Sequence, residues 1–280
     1  MRRPDFSITL VMTAAVLFTT ACTQFPTRDH GPAYPVDVSQ IPNAVPRYEL
    51  KSAYGNPSSY TVNGQIYHVL PSCMNYHERG IASWYGSKFH GGRTSDGETY
   101  DMYAMTAASK ELPLPCYVGV INLENGKSVI VKVNDRGPFV GNRIIDLSYA
   151  AAARIGMLGT GTALVDVTTA TPGEPSPPTG PGSNLPVPSG TPPVSAATGT
   201  VSKPQIFVQV GAFANQSNAA HVLQRLRTAA VKPAFILTET QNGITFYKVR
   251  IGPLPDVNRV DALTGQLGAL GFPDAQVVIP

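Results

Sequence analysis

Charge is scarce in this chain. Only 14% of its residues are Asp, Glu, Lys or Arg and the formal net charge is +3, against roughly 25% charged residues in an average globular chain. So small an excess does not support nucleic acid as a partner, which normally needs a basic patch or stripe. Cysteine is scarcer still, at three residues, so the fold is not built on a disulfide framework. No His and Cys residues recur at ligand spacing, and no metal is expected. The apolar run Phe6–Thr20 falls short of the roughly 20 residues that cross a bilayer. Pro and Gly are abundant, at 26 each, and unevenly spread. Part of the chain is therefore linker, and the length fits two small domains.

The N-terminus reads as an export signal over residues 1–21. Met1-Arg-Arg is a basic start, the apolar run follows, and the small residues Thr19-Thr-Ala21 precede Cys22. This resembles a bacterial lipobox, with Thr19 where Leu is usual. The resemblance implies that Cys22 is lipidated and becomes the mature N-terminus; the alternative is an ordinary cleaved signal with an incidental Cys. Thr23 after the Cys, where Asp marks inner-membrane retention in Gram-negative lipoproteins, implies an outer-membrane anchor facing the periplasm. Export places Cys73 and Cys116 in an oxidising compartment. A disulfide between them is expected, and two separate buried thiols are the alternative.

Residues 22–59 are polar, Pro-interrupted and aperiodic, and read as a disordered tether. Residues 60–76 read as a hairpin, because Asn63-Gly64 separates two β-rich runs. In residues 77–167 short β-like runs dominate: Ile81–Tyr85, Met105–Ala107, Tyr117–Asn122, Ser128–Asn134, Ile144–Leu147 and Thr162–Val167. One helix fits Ser148–Ile155, with Ser148 as N-cap and Gly156 as stop. Six strands with one helix suggest a small closed all-β barrel. Asp135-Arg136 stands in a Gly-Pro turn between two apolar runs, a way of presenting polar chemistry from a rigid scaffold.

Ala82-Ser-Trp84-Tyr-Gly86, Phe89-His-Gly91, Thr94-Ser-Asp-Gly97-Glu98, Met105-Thr-Ala-Ala108, Leu112-Pro-Leu-Pro115, Val133-Asn-Asp135-Arg-Gly-Pro-Phe139 and Ile145-Asp-Leu-Ser148 resemble, in order, the rare lipoprotein A family. The resemblance implies a double-psi β-barrel, similar to those of expansins, and a septal lytic transglycosylase. Such an enzyme cleaves the bond from N-acetylmuramic acid to N-acetylglucosamine, the muramoyl C6 hydroxyl attacking its own C1 to leave a 1,6-anhydro end. The leaving oxygen needs a proton, and no water needs activating. The family's acid falls on Asp135 and its second carboxylate on Glu98; no cofactor is required. Trp84 and Tyr85 are candidate platforms for pyranose rings, and His90 and Arg136 candidate substrate contacts. Arg136 would pair with Asp146 or with a lactyl carboxylate. Ser109 stands where family members with demonstrated catalysis tend to carry His. A hydroxyl there donates a hydrogen bond but does not titrate near neutrality.

Residues 168–204 are Pro, Ser, Thr and Gly without periodicity, a disordered linker. Residues 205–280 read βαββαβ, a small α+β ferredoxin-like arrangement. Strands are expected at Ile206–Phe213, Ala234–Leu237, Thr245–Ile251 and Ala275–Ile279, with helices from Asn215 or Ser217 to Ala230 and over Val257–Leu270. The segment resembles a sporulation-related (SPOR) repeat domain, which implies binding of septal glycan strands stripped of their peptides. Period-2 alternation turns Val208, Val210, Tyr247, Val249 and Ile251 toward the helices and Phe207, Gln209, Lys248 and Arg250 outward. An aromatic, an amide and two cations suit a sugar chain bearing carboxylates. Together these readings describe a lipid-anchored protein of the Gram-negative division site that binds denuded peptidoglycan and cleaves it. Two rivals stand beside it: a wall-binding lipoprotein without catalysis, which Ser109 favours, and an expansin-like loosening protein.

Overall fold

The computed structural model describes residues 29–34, 36–173, 204–241 and 243–280. The export signal, Cys22 and most of the 168–204 linker lie outside the described residues.

A two-residue turn opens the described strands. Asn63 and Gly64 both take positive φ, 51° and 80°, and join β1 (Ser59–Val62) to β2 (Gln65–His68) in register. That backbone matches strand twist, which is why Asn-Gly marks a hairpin.

Six strands then close a barrel: β3 (His77–Tyr85), β4 (Thr106–Ser109), β5 (Cys116–Asn122), β6 (Ser128–Asp135), β7 (Arg143–Ser148) and β8 (Ala163–Thr169), in the order β3-β7-β4-β6-β5-β8. β3 pairs with β7, and β4 with β6, in parallel; the other contacts are antiparallel. Alternate residues fill the interior. Val118, Val120, Val131, Val133, Leu147 and Val165 are all buried. β3 starts four residues earlier than the apolar pattern suggests, because its polar first half is paired to β8 and carries the Arg79–Asp166 contact at 2.8 Å. α1 (Tyr149–Arg154) is short. Its N-cap Ser148 accepts from Ala151 N, and Ala150, Ala151 and Ala152 are buried, their small side chains letting the helix lie close against the barrel.

The reading of residues 22–59 as a disordered tether is corrected for residues 36–59. They form a strap laid over the barrel. Val38, Ile41 and Ala44 pack on its core. Ala44 N donates to Ile130 O at 3.0 Å and Ser52 N to Leu114 O at 2.9 Å. The Asn56 amide clamps Leu114 by both its N–H and its C=O, at 2.8 and 2.7 Å, and Arg154 donates to the carbonyls of Val38, Ser39 and Ile41. Pro and irregular spacing remove periodicity, but they do not remove apolar side chains or backbone donors.

The second domain is one antiparallel sheet, order β10-β11-β9-β12, from β9 (Ile206–Phe213), β10 (Ala234–Gln241), β11 (Ile244–Leu254) and β12 (Gln276–Val278). α2 (Gln216–Thr228) is capped by Asn215 and α3 (Val257–Ala269) by Asp256. Val208, Val249 and Ile251 are buried against Leu226, Val260 and Leu263. β10 outruns its apolar start because pairing continues to Gln241↔Ile244. Asn142 and Arg143 touch this domain at Thr264 (3.1 Å) and Asp261 (3.3 Å).

Cys73 and Cys116 form a disulfide, Cα atoms 6.4 Å apart and 43 residues apart in sequence. It ties the stretch after the hairpin to the start of β5. Loop closure of that size is worth about 4 kcal/mol in the chain-entropy picture. A Cys73→Ala/Cys116→Ala double variant is expected to lose up to that much unfolding free energy in urea, and an unchanged midpoint would show that the strap and β3 already supply the constraint.

Candidate functional site

Asp135 ends β6, and the loop that faces it is built from its own sequence. An isolated bridge Arg93↔Thr99 closes residues 93–99. Inside it Asp96 is the hub. Its Oδ1 accepts from Thr94 Oγ1 at 2.7 Å and from Glu98 N at 3.1 Å. Gly97, at φ 94°, supplies the turn that a side chain would strain. Burial raises the pKa of Asp96 even against these bonds.

Three successive features of β6 grip this loop. Asn134 O accepts from Asp96 N at 3.3 Å. Asn134 Nδ2 donates to Glu98 Oε2 at 2.9 Å. Asp135 Oδ1 accepts from Ser95 N at 2.8 Å, Ser95 Oγ at 2.6 Å and Arg136 N at 2.7 Å. The two expected carboxylates therefore sit at opposite ends of one four-residue segment. Lys132, on the same strand face as Asn134, donates to Glu98 Oε1 at 2.6 Å. Burial pushes the pKa of Glu98 up, but the bonds from Lys132 and Asn134 and the Lys132 charge outweigh it and hold the group below the ordinary value. Glu98 is an anion at neutral pH. Asp135 has one oxygen held by three donors, while Oδ2 has no hydrogen-bond partner among the described residues. The arrangement offers a fixed negative charge at one end of the loop and, at the other, a carboxyl with one oxygen left without a partner among the described residues.

The remaining site residues are placed differently from the expectation. Among the described residues Arg136 pairs with neither Asp146 nor any other carboxylate. Its Nε and Nη2 donate to Gly55 O at 2.9 and 2.7 Å, Nη1 to Leu112 O and Ser109 O at 2.5 and 3.1 Å, and Nη2 to Asn56 Oδ1 at 3.3 Å. All five N–H groups are used, so none is left for a lactyl carboxylate. Asp146 is hydrogen-bonded to Ser83 Oγ instead, and burial raises its pKa. Ser109 is buried, its Oγ accepting from Glu111 N and Leu112 N at 3.3 and 3.2 Å; it caps a turn. Tyr85 is buried and stacked on Tyr100 at 4.2 Å, and half-buried Trp84 lies edge-on to Tyr149 at 6.0 Å. Neither ring is an open platform, because both fill the space between the barrel and the 86–104 loop. His90 Nδ1 accepts from Met102 N at 3.1 Å and so carries its proton on Nε2 when neutral. It closes that loop rather than standing beside Asp135 on β6.

Sequence reasoning missed Ser95, Asp96, Lys132 and Asn134. A usable signal existed in Thr94-Ser-Asp-Gly97, a turn sequence ahead of a carboxylate. Nothing in the alternation of β6 distinguished Lys132 from a solvated lysine. On the second domain Arg250 Nε donates to Gln209 Oε1 at 3.1 Å, Lys248 reaches Glu239 at 2.6 Å and Phe207 lies 5.9 Å from Phe235. Phe207, Gln209, Lys248 and Arg250 share the face away from the helices. Among the described residues no His, Cys, Asp and Glu cluster could hold a metal ion.

Comparison with known proteins gives a consistent set. A lytic transglycolase family model matches residues 77–167, and a SPOR domain model matches residues 202–279. The endolytic peptidoglycan transglycosylase RlpA of Pseudomonas aeruginosa (strain UCBPP-PA14) is 41% identical over 84% of this chain and 80% of its own. The protein of the same name from Vibrio cholerae is 38% identical over 88% and 86%. A crystal structure of the RlpA SPOR domain from P. aeruginosa aligns with 27% of this chain and 99% of its own, at 27% identity and a TM-score of 0.26.

The saturated guanidinium yields a direct test. Arg136→Lys keeps the charge but not the planar fork, and leaves buried carbonyls short of donors. It is expected to cost roughly 1.5–3 kcal/mol of unfolding free energy. Unchanged stability with weakened glycan affinity would instead put the guanidinium on substrate.

Proposed function

Because this chain belongs to the RlpA family, whose named members are endolytic peptidoglycan transglycosylases, we propose that its barrel cleaves peptidoglycan glycan strands by the same reaction class, and that the bond broken is that from N-acetylmuramic acid to N-acetylglucosamine. The observation that carries the reading is the pair at the end of β6: Asp135 with one oxygen fixed by three donors, and Glu98 held as an anion by Lys132 and Asn134.

The step balances without water. Asp135 gives its proton to the glycosidic oxygen as the C1–O bond breaks, and the GlcNAc end leaves as an alcohol. Positive charge develops on C1 and the ring oxygen, and the Glu98 anion opposes it. The muramoyl C6 hydroxyl then bonds to C1, and its proton returns to the ionised Asp135. The products are a free GlcNAc hydroxyl and a 1,6-anhydromuramoyl end, with the enzyme restored.

The outward face of the second domain supports binding of denuded glycan through Phe207, Gln209, Lys248 and Arg250. An N-terminal lipid on Cys22 would hold the protein at the outer membrane, within reach of septal peptidoglycan. The rival without catalysis draws on Ser109. Its hydroxyl caps a turn and supplies no titrating group.

Digestion of peptide-stripped peptidoglycan by residues 23–280, read by mass spectrometry, tests both. Formation of 1,6-anhydromuramoyl ends, slowed roughly 10²–10⁴-fold in Asp135→Asn, is the expected result; glycan binding without new ends supports the wall-binding rival. Arg250→Ala is expected to weaken binding of denuded strands roughly tenfold or more while the barrel still cleaves short soluble glycan. Unaltered pull-down by denuded peptidoglycan would remove that face from recognition.

A further inference from the structure

Among the described residues outside the barrel, one carboxylate reaches the site. Glu49 lies on the strap, and its side chain is three-quarters buried. Its Oε1 accepts from the Tyr117 hydroxyl of β5 and from Arg47 Nε at 2.6 Å. Its Oε2 lies 3.4 Å from Lys132 Nζ, the ammonium that donates to Glu98 Oε1 at 2.6 Å. The result is a line of alternating charge, Arg47–Glu49–Lys132–Glu98, that starts on the strap and ends on a carboxylate of the site.

We propose that Glu49 is a positioning residue of the active site, holding the Lys132 ammonium from behind and thereby setting both the place of Glu98 and the pH at which it ionises. The inference rests on the transglycosylase reading for its consequence in catalysis, but not for the contact itself.

Two features separate this from an ordinary surface pair. Only 13% of the Lys132 side chain is exposed, and an ammonium drawn out of water needs acceptors from the protein. Two carboxylates from different parts of the chain supply them. The family-matched segment begins at residue 77, yet Glu49 comes from well before it. The same strap supplies the Gly55 and Asn56 acceptors that hold Arg136. The neighbours of both site carboxylates are thus secured by residues 47–56.

The sign of the effect follows from the charges around Glu98. Lys132 faces it from β6 and favours its ionised form. Glu49 behind Lys132 and Asp96 on the same loop disfavour it, while Arg47 and Tyr117 face Glu49. Hydrogen bonds and nearby cations hold Glu49, despite its burial, down to about 2, so it is charged wherever Glu98 titrates. Removing that charge with Glu49→Gln leaves Lys132 to Glu98 alone and lowers the pH at which Glu98 ionises. Charges within about 6 Å, screened as in bulk water, give a shift of roughly half a unit. Lys132→Gln moves it the other way.

The test follows Glu98 directly. Full-length chain in detergent, labelled with ¹³C at glutamate side-chain carboxyls, is titrated by NMR as wild type, Glu49→Gln and Lys132→Gln, with Glu98→Gln to assign the resonance. A Glu98 midpoint lowered by roughly half a unit in Glu49→Gln and raised in Lys132→Gln supports the proposal. The acid limb of the anhydro-product rate should move with it. An unchanged midpoint overturns it, and a lower Tm with an unchanged midpoint makes Glu49 merely a strap anchor. If the wild type forms no anhydro ends, the catalytic reading fails, while the titration still decides whether Glu49 governs Glu98.

Discussion

The end of β6 holds a single loop by both of its ends, and the rest of the site depends on that grip. Successive residues do different work there. The Asn134 backbone takes Asp96, its amide takes Glu98, and Asp135 takes Ser95. A strand inside a closed barrel cannot slip by one residue without turning every side chain to the wrong face. The register β4–β6, with Ala108 opposite Asp135, therefore fixes both carboxylates at once. This is why a small barrel suits the task. Its interior of Val and Leu is rigid, and its polar loops inherit that rigidity at one end of the strands.

Hydrogen bonding then gives the two carboxylates different settings. Glu98 receives an ammonium and an amide, bonds that only its anion can use fully. Asp135 receives three donors on one oxygen, which orients the other. In the proposed reaction, transfer of a proton at Oδ2 needs that orientation, since the leaving oxygen must sit within hydrogen-bond reach. Arg136, adjacent in sequence, is kept out of this chemistry. Its guanidinium is consumed by the carbonyls of Gly55, Ser109 and Leu112, so a strong cation stands next to Asp135 without its side chain pairing with it.

Much of the architecture was legible because it is written in local rules. Asn63-Gly64 gave the hairpin, Ser148 the cap of α1, and period-2 alternation both faces of the second sheet. The two carboxylates were singled out by resemblance, through the motifs Val133-Asn-Asp135-Arg and Thr94–Glu98; by local rules alone Glu98 reads as a solvated loop residue and Asp135-Arg136 as a pair holding a turn. What escaped depends on contacts between distant parts of the chain. Lys132 looks like any outward strand lysine until the strap and the 93–99 loop close on either side of it. Residues 36–59 look like tether because Pro42, Pro46 and Pro57 break every period, although Val38, Ile41 and Ala44 bury themselves on the barrel. Trp84 and Tyr85 look like a sugar platform, but a flanking loop with Tyr100 and Tyr103 covers them. Tertiary closure decides each of these, and no window of the sequence contains it.

The strap therefore changes what counts as the unit of the proposed site. A six-stranded barrel with open ends leaves backbone carbonyls and charged side chains at its rim that need partners. In this chain those partners come from residues before β3: Ser52 and Asn56 for Leu114, Gly55 for Arg136, and Glu49 for Lys132. A piece cut at residue 77 keeps all six strands, yet it exposes the Arg136 fork and leaves Lys132 with Glu98 alone. It would retain the topology while losing the geometry next to both carboxylates. Fold and site thus have different boundaries: the barrel is complete from β3 to β8, and the site is complete only when the strap is laid across it.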